Sequence, residues 1–354
     1  MKTLQIFYSV CLLALVPMLF SCAKSDDESF NEPAYAGWAV GDVDQGYGTI
    51  LHTINDGLTW TRQGSASFQA WINFYDVSAM STSEVWIVGD TIDGYGSAWH
   101  TTNGGKDWVR VGDTSVFRNT NLRAVWAKGG SRVWTGGDRG HLSFTDNGGS
   151  SWTTIPLDSL ENTRFTAISG DSTTSVYVVG NRVDTLGNET GPVVLHSANG
   201  GTTWSVQTLG EGFTGHAYDI SVVSDTVAWI AAGAYLFVTY NSGAVWQVAY
   251  TAAAGNIHSV CADKLGTVWA GGEGGTMYHY RPGQWNALNP NGNRYTLNGI
   301  TMADSNRVWV TGLKTDTYPQ GTLLYTHTTG RSWFIEPNPS AAGMRRISFV
   351  NGIR

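Results

Sequence analysis

With 354 residues and a hydrophobic fraction of 42%, the chain can bury a large core. Charged residues make up only 14%, the formal net charge is -7, and no long lysine or arginine run occurs. That excludes sequence-independent nucleic-acid binding, which needs clustered cations to displace phosphate counterions. A total of 44 glycines, 16 tryptophans and 15 tyrosines stand where a helical protein carries Ala, Glu, Lys and Leu, so the composition is all-β.

Residues 1–21 read as a signal peptide: Lys2 supplies the positive start, and Ile6 to Phe20 is apolar apart from Tyr8 and Ser9 but short for a membrane span. Its end, Leu19-Phe20-Ser21-Cys22, resembles the bacterial lipobox, which implies that Cys22 is lipidated and becomes the mature N-terminus. The alternative is an ordinary secretory signal with an incidental cysteine. Residues 22–35 are polar and cannot build a core, so they are expected to form a flexible acidic tether. Lys24 followed by Asp26, Asp27 and Glu28 resembles the export signal of surface lipoproteins in some diderm bacteria; the alternative is a solvated linker without an address. The expected location is extracytoplasmic, as an outer-membrane, surface-exposed lipoprotein that meets the membrane through its lipid alone.

From residue 36 to 354 the chain repeats itself every 40 to 50 residues, the period of solenoids and propellers. The repeated stretch is Thr101-Thr102-Asn103-Gly104-Gly105-Lys106-Asp107-Trp108, copied at Thr53 to Trp60, Thr145 to Trp152, Ser197 to Trp204, Thr239 to Trp246 and Thr326 to Trp333, with a worn copy ending at Trp285. Asn55, Asn103, Asn147, Asn199 and Asn241 suit left-handed or Asx-turn geometry. Gly57, Gly105, Gly149, Gly201, Gly243 and Gly330 accept positive φ, and Trp60, Trp108, Trp152, Trp204, Trp246 and Trp333 plug an apolar gap after the turn. Ahead of each turn runs an apolar strand opening on an aromatic residue: Trp38, Trp86, Trp134, Tyr177, Trp229, Trp269 and Trp309. Nine residues before the last six of these sits an aliphatic one: Val77, Val125, Ile168, Ile220, Val260 and Ile300. The constant spacing predicts a hairpin of constant length, and each unit reads as a blade of four short antiparallel strands.

A lone blade would leave both faces bare, so blades must stack, and radial closure removes most exposed edges. The first unit lacks its first strand, whereas Met344 to Val350 is a first strand without a unit. The ends therefore complete each other, predicting a seven-bladed β-propeller closed by its C-terminal strand. A linear solenoid would need polar caps at both ends and would leave one strand orphaned.

The pattern Ser/Thr-x-Asp/Asn-x-Gly-x-Thr-Trp resembles the Asp-box, or BNR repeat, of sialidases, sortilin-like receptors and related propellers. The run from Trp38 to Trp60 looks most like the photosystem II assembly-factor propellers and their non-photosynthetic bacterial relatives. That resemblance implies a box that holds the blade together away from the ligand face, and an arginine-rich face that holds a partner protein. A sialidase-like site would need an arginine triad, a Tyr–Glu nucleophile pair and a Phe-Arg-Ile-Pro motif; that motif is missing, and Arg164-Phe165 is the nearest string. Xyloglucanases with this box usually carry two propellers, whereas this chain has one. Nucleophile-elbow, phosphate-loop and His-Glu-x-x-His patterns do not occur either.

In a propeller the loops from fourth to first strand and from second to third share one face, opposite the boxes. That face gathers Arg123, Arg164, Arg294, Arg345 and Arg346 as candidate partner-binding residues, and Asp42, Asp90, Asp138 and Glu273 as an acidic rim. Arg123 and Arg345 share a register, each two residues before Val125 or Ile347. Either the arginines form a protein-binding patch, or they pair with the neighbouring acids and merely neutralise the blade tops. Tyr47, Tyr95, Trp71, Phe117 and Tyr318 in the same loops either stack on sugars or peptides or pack between blades. Asp42 to Gly46 and Asp90 to Gly94 faintly resemble calcium loops but lack the bidentate Glu, so they read as turns. His52, His100, His196, His279 and His327 are spread one per blade without zinc-ligand spacing, and no metal or cofactor is expected. Cys261 reads as an inert core residue. The expected function is a scaffold or assembly factor binding an envelope or surface protein without catalysis; the alternative is a glycan-binding or glycoside-hydrolase-like surface protein that uses the acidic rim and the aromatics.

Overall fold

A computed structural model describes residues 34–64, 71–112, 115–127, 132–171, 174–290, 295–315 and 320–351. Arg294, Tyr318, Cys22 and the whole of the 1–21 segment lie outside the described residues. The first strand begins at Tyr35.

Seven four-stranded antiparallel sheets follow one another in the chain. Blade 1 is completed by the C-terminal strand and runs, from axis to rim, Met344–Asn351, Tyr35–Asp44, Tyr47–Thr53 and Thr61–Arg62. Blades 2 to 7 each begin on their own inner strand: Phe74–Ala79, Leu122–Ala127, Thr163–Gly170, Ala217–Val222, Ile257–Ala262 and Tyr295–Met302. The seven inner strands touch one another in sequence around the axis, with the C-terminal strand lying between Tyr295–Met302 and Phe74–Ala79. The expected closure is present: Tyr35 to Gly41 pairs antiparallel with Met344 to Asn351.

The ring is stitched by inner-strand side chains that accept backbone N–H groups of the next blade. Ser348 accepts from Ala79, Ser78 from Ala127, Ser169 from Val222 and Ser221 from Ala262, at 3.0 to 3.2 Å. Two residues earlier in the register, Asp76 accepts from Val125, Asp219 from Val260 and Ser259 from Ile300. These bonds satisfy the inner edges that a propeller would otherwise leave open.

The boxes are clamps between blades. In the turn ending at Trp108 the Thr101 hydroxyl accepts the Gly105 N–H at 2.9 Å, and the Asn103 carboxamide accepts the Asp107 N–H. The bare faces of Gly57, Gly149, Gly201 and Gly330 receive the second-strand tryptophan of the preceding blade, whereas Gly105 and Gly243 receive Gln63 and Gln207: a Cβ on Gly201 would stand 2.2 Å from the Trp134 ring, and one on Gly330 2.5 Å from Trp269. The box tryptophan then meets that same ring edge-on, as Trp86–Trp152, Trp134–Trp204 and Trp269–Trp333 do. The one-per-blade histidines cover the other face as cross-strand partners: His52, His100, His196 and His279 stack on Trp38, Trp86, Tyr177 and Trp269 at 3.8 to 4.5 Å. Burial lowers the pKa of all four, so they serve as neutral aromatic plates. The worn copy ending at Trp285 is no box, because Met277–Arg281 and Gln284–Leu288 are joined directly by Pro282-Gly283.

Candidate functional site at the axial mouth

In six of the seven blades the pairing of inner and second strand skips one residue in the same place. The breaks fall between Phe74 and Asp76, Leu122 and Ala124, Phe165 and Ala167, Ala217 and Asp219, Ile257 and Ser259, and Leu297 and Gly299. Blade 1 slips at the matching point, where Val40 pairs with Arg346 and Gly41 with Met344. Each skip is a β-bulge, which turns the extra residue out of the ladder and re-aims its side chain. The re-aimed residues are Tyr75, Arg123, Thr166, Tyr218, His258, Asn298 and Arg345, and all seven line one cavity of about 340 Å³ at the mouth of the axial channel.

One half of this mouth is cationic. Arg123 and Arg345 lie on opposite sides of Tyr75, 4.5 and 4.8 Å from the ring centroid, within cation–π range. The Tyr75 hydroxyl donates to Asp90 at 2.6 Å, and burial together with that bond pushes its pKa up to about 12. Arg345 donates to Asp42 at 2.6 Å, and Arg123 binds Asp138 through two nitrogens at 2.6 and 3.2 Å. Arg164 spans Asp138 and Glu189, each at 3.0 Å. Burial alone would raise the Asp138 pKa, but bonds and charge from Arg123 and Arg164 outweigh it and hold the carboxyl below its ordinary range. Glu189 reaches the mouth because the hairpin of Val176–Val183 and Glu189–Ser197 is long; it replaces the carboxylate that Asn181 omits, and Asn181 donates to it at 2.8 Å.

The other half holds Tyr218, tilted against His258 with ring centroids 4.6 Å apart, with Asn298 beside them. Burial lowers the His258 pKa against the opposing pull of Glu273, 3.6 Å away. Arg346 lines the same cavity at its deeper end. Its guanidinium crosses the channel to the carbonyls of Asn298 and Tyr218, at 3.0 and 3.1 Å, and to Asp219 at 3.2 Å.

Asp42, Arg123, Arg164, Arg345 and Arg346 line the cavity, with Asp90, Asp138 and Glu273 bonded to its lining residues from behind. The two alternatives for Arg123, Arg164 and Arg345 thus coexist: each guanidinium has a carboxylate partner and also faces the cavity. Tyr47, Tyr95 and Trp71 do not line it. Trp71 is 75% exposed and takes a left-handed backbone, φ 70°, which is uncommon for a bulky residue. Its N–H bonds to Gly46, so it stands over the outer hairpin of blade 1. Phe117 is no stacking platform: it is 1% exposed and packs edge-on against Trp152 and His141. The Asp42 to Gly46 and Asp90 to Gly94 loops are tight hairpin turns, with positive φ at Gln45, Gly46, Asp93 and Gly94. Cys261 is half-buried and packs against the core cluster that holds Trp269, Leu297 and Ile300, and burial pushes its pKa up to about 12, which keeps it a thiol. Among the described residues no three of His, Cys, Asp and Glu converge as metal ligands would.

Tyr75, Thr166, Tyr218, His258 and Asn298 escaped sequence reasoning, although the signal was available. Each stands two residues before Val77, Ile168, Ile220, Val260 or Ile300, the register in which Arg123 and Arg345 stand before Val125 and Ile347. Polarity at that position does not by itself reveal a bulge, so only the two arginines stood out.

A family model described as photosynthesis system II assembly factor YCF48 matches residues 119–311. Among solved structures, YCF48 bound to D1 peptide aligns over 74% of this chain and 80% of its own, with 18% identity and a TM-score of 0.56. YCF48 from Cyanidioschyzon merolae aligns over 76% of this chain and 87% of its own, with 16% identity and a TM-score of 0.57. The GH74 xyloglucanase from Xanthomonas campestris aligns over 88% of this chain and 60% of its own, with 12% identity and a TM-score of 0.53. No curated protein matches the sequence.

Proposed function

The chain belongs to the photosynthesis system II assembly factor YCF48 family, and from that premise we propose that it is a non-catalytic scaffold whose axial mouth grips a segment of an envelope protein partner. The observation that carries this reading is the ring of bulge residues, which brings Arg123 and Arg345 into one cavity with Arg164. A guanidinium held by a carboxylate behind it is pre-oriented, so its remaining N–H donors meet a ligand with little further loss of rotamer freedom. A relative of the same fold is bound to a D1 peptide, which favours a protein segment as the ligand class. Lipidation at Cys22, a tether from there to the first strand at Tyr35, and display on the outer membrane complete the proposal. They rest on the lipobox-like end of the leader and the Lys-then-acidic run.

Glycoside hydrolysis has less support. A general acid needs a raised pKa in contact with the ligand. The Asp138 carboxyl is instead held low, and Glu273 is held low because bonds from Asn256 and the charge of His258 outweigh the effect of burial. The likeness to the xyloglucanase speaks for the fold alone.

The test is crosslinking in intact cells followed by mass spectrometry, comparing the native chain with Arg123→Glu/Arg164→Glu/Arg345→Glu. Folding of both is checked by circular dichroism. Loss of the captured partners from a folded triple variant is expected. An unchanged partner set would refute the patch, and binding on a glycan array would favour the sugar reading.

A further inference from the structure

Beneath the mouth the channel is closed by a cluster that partner binding does not itself require. Arg346 stands on the last strand of the chain, in blade 1, yet its guanidinium reaches Asp219 and the Tyr218 carbonyl in blade 5 and the Asn298 carbonyl in blade 7. Tyr218 and Asn298 are themselves bulge residues, so this one side chain holds two of the seven positions that shape the cavity above. Arg346 and Asp219 are only 16% and 14% exposed, which makes the pair costly to break.

Asp76 occupies the register of Arg346 and Asp219 on blade 2, and its charge and that of Arg346 influence each other. Its two oxygens accept the N–H groups of Val77 and Val125, at 2.9 Å each, while Arg346 is engaged on the opposite side. Arg346 thus has Asp76 in its own register on the neighbouring inner strand but bonds only Asp219. From the neighbouring elements, the charged groups turned toward Asp76 are Arg346 on Met344–Asn351 and Asp219 on Ala217–Val222; Arg345 and Arg123 stand one residue nearer the mouth on the flanking strands.

We propose that the channel floor is a proton-controlled lock on the mouth. With a proton on Asp76, Arg346 belongs wholly to Asp219 and fastens the Tyr218 and Asn298 bulges. Without it, Asp76 competes for the guanidinium and draws it toward blade 2, releasing those two carbonyls. The arrangement observed, with Arg346 on the Asp219 side, is the locked one. Burial, opposed by Arg346, pushes the Asp76 pKa up to about 7, so the competition would switch on within the neutral range. This inference rests on the mouth being the binding site for its biological meaning, but not for its test, which uses the full chain without any partner.

Crystal structures of the chain at pH 6.0 and 8.5, and of Asp76→Asn at pH 8.5, decide it. At pH 6.0 Arg346 should bond Asp219 and both carbonyls, at pH 8.5 it should bond Asp76, and the variant should remain locked. Amide exchange at residues 217–220 and 297–300, corrected for intrinsic rates, should rise about tenfold from pH 6.0 to 8.5 in the native chain and stay level in the variant. That tenfold corresponds to about 1.4 kcal/mol of opening free energy. Should Asp76→Asn fail to fold, Arg346→Lys serves in its place, since one ammonium cannot reproduce the three contacts and the pH effect should vanish. An Arg346 unmoved between the two pH values, with level exchange, overturns the lock whether or not a partner is ever found.

Discussion

Asp76 ties a proton to the folding of the ring. Its carboxyl is pushed up to about 7, first by burial, while the unfolded chain gives it an ordinary carboxylate value. The folded state therefore holds a proton that the unfolded state releases. The associated stability is complete below the unfolded pKa and is lost as pH rises through about 7. Urea denaturation from pH 5 to 8.5 should show the native chain weakening up to a little above pH 7 and levelling beyond it, with Asp76→Asn losing much of the slope; an equally steep fall in the variant would contradict the assignment. At this scale the sequence was half legible. Arg123 and Arg345 were visible as a shared register, whereas the opposite roles of Arg345 and Arg346, one in the mouth and one across the floor, depend on which of two consecutive residues the bulge turns outward. A bulge is a property of the pairing between strands, and pairing is not written locally.

The box turn is the element most fully specified by local chemistry. Its Thr, Asn and Gly positions each have a hydrogen bond or a positive φ that requires them, as Thr101, Asn103 and Gly105 show. What the sequence did not disclose is why the last glycine must be bare on one side: a side chain of the neighbouring blade lies there, Gln63 against Gly105 and Trp134 against Gly201. Two box glycines, Gly148 and Gly201, separate the effects. Gly148 and Gly149 both have positive φ, as does Gly201, but a Cβ on Gly148 would meet nothing, whereas one on Gly201 would strike Trp134. Gly148→Ala should cost about 1 kcal/mol from backbone strain alone, and Gly201→Ala about 2–4 kcal/mol through added overpacking. Denaturation midpoints of the two variants measure the difference, and equal losses would show that the clamp contributes nothing. Phe117 carries the same lesson, since its loop position left platform and blade packing both open and its contact with Trp152 makes it core.

For the whole molecule, closure is the decisive event. The C-terminal strand supplies the inner strand of blade 1, two lining arginines, and Ser348, which accepts the Ala79 N–H of blade 2. Ending the chain at Ala342 would expose the buried faces of Trp38, Ala39 and Val40 and open the ring. The shortened chain should lose its single cooperative unfolding transition and bind a hydrophobic dye, measured by calorimetry and dye fluorescence; a cooperative transition within a few degrees of the native one would show that the ring does not need its lock. The number of blades, their four-strand order and the pairing of the two ends followed from the sequence alone, because hydrophobic period, turn chemistry and an orphaned strand are local or countable features. The tertiary structure alone decided that seven bulges converge on one mouth, that its arginines already hold carboxylates, and that Arg346 closes the floor. Those outcomes depend on side chains from blades far apart in the chain meeting at the axis, where charge and burial are set by neighbours that no local pattern names.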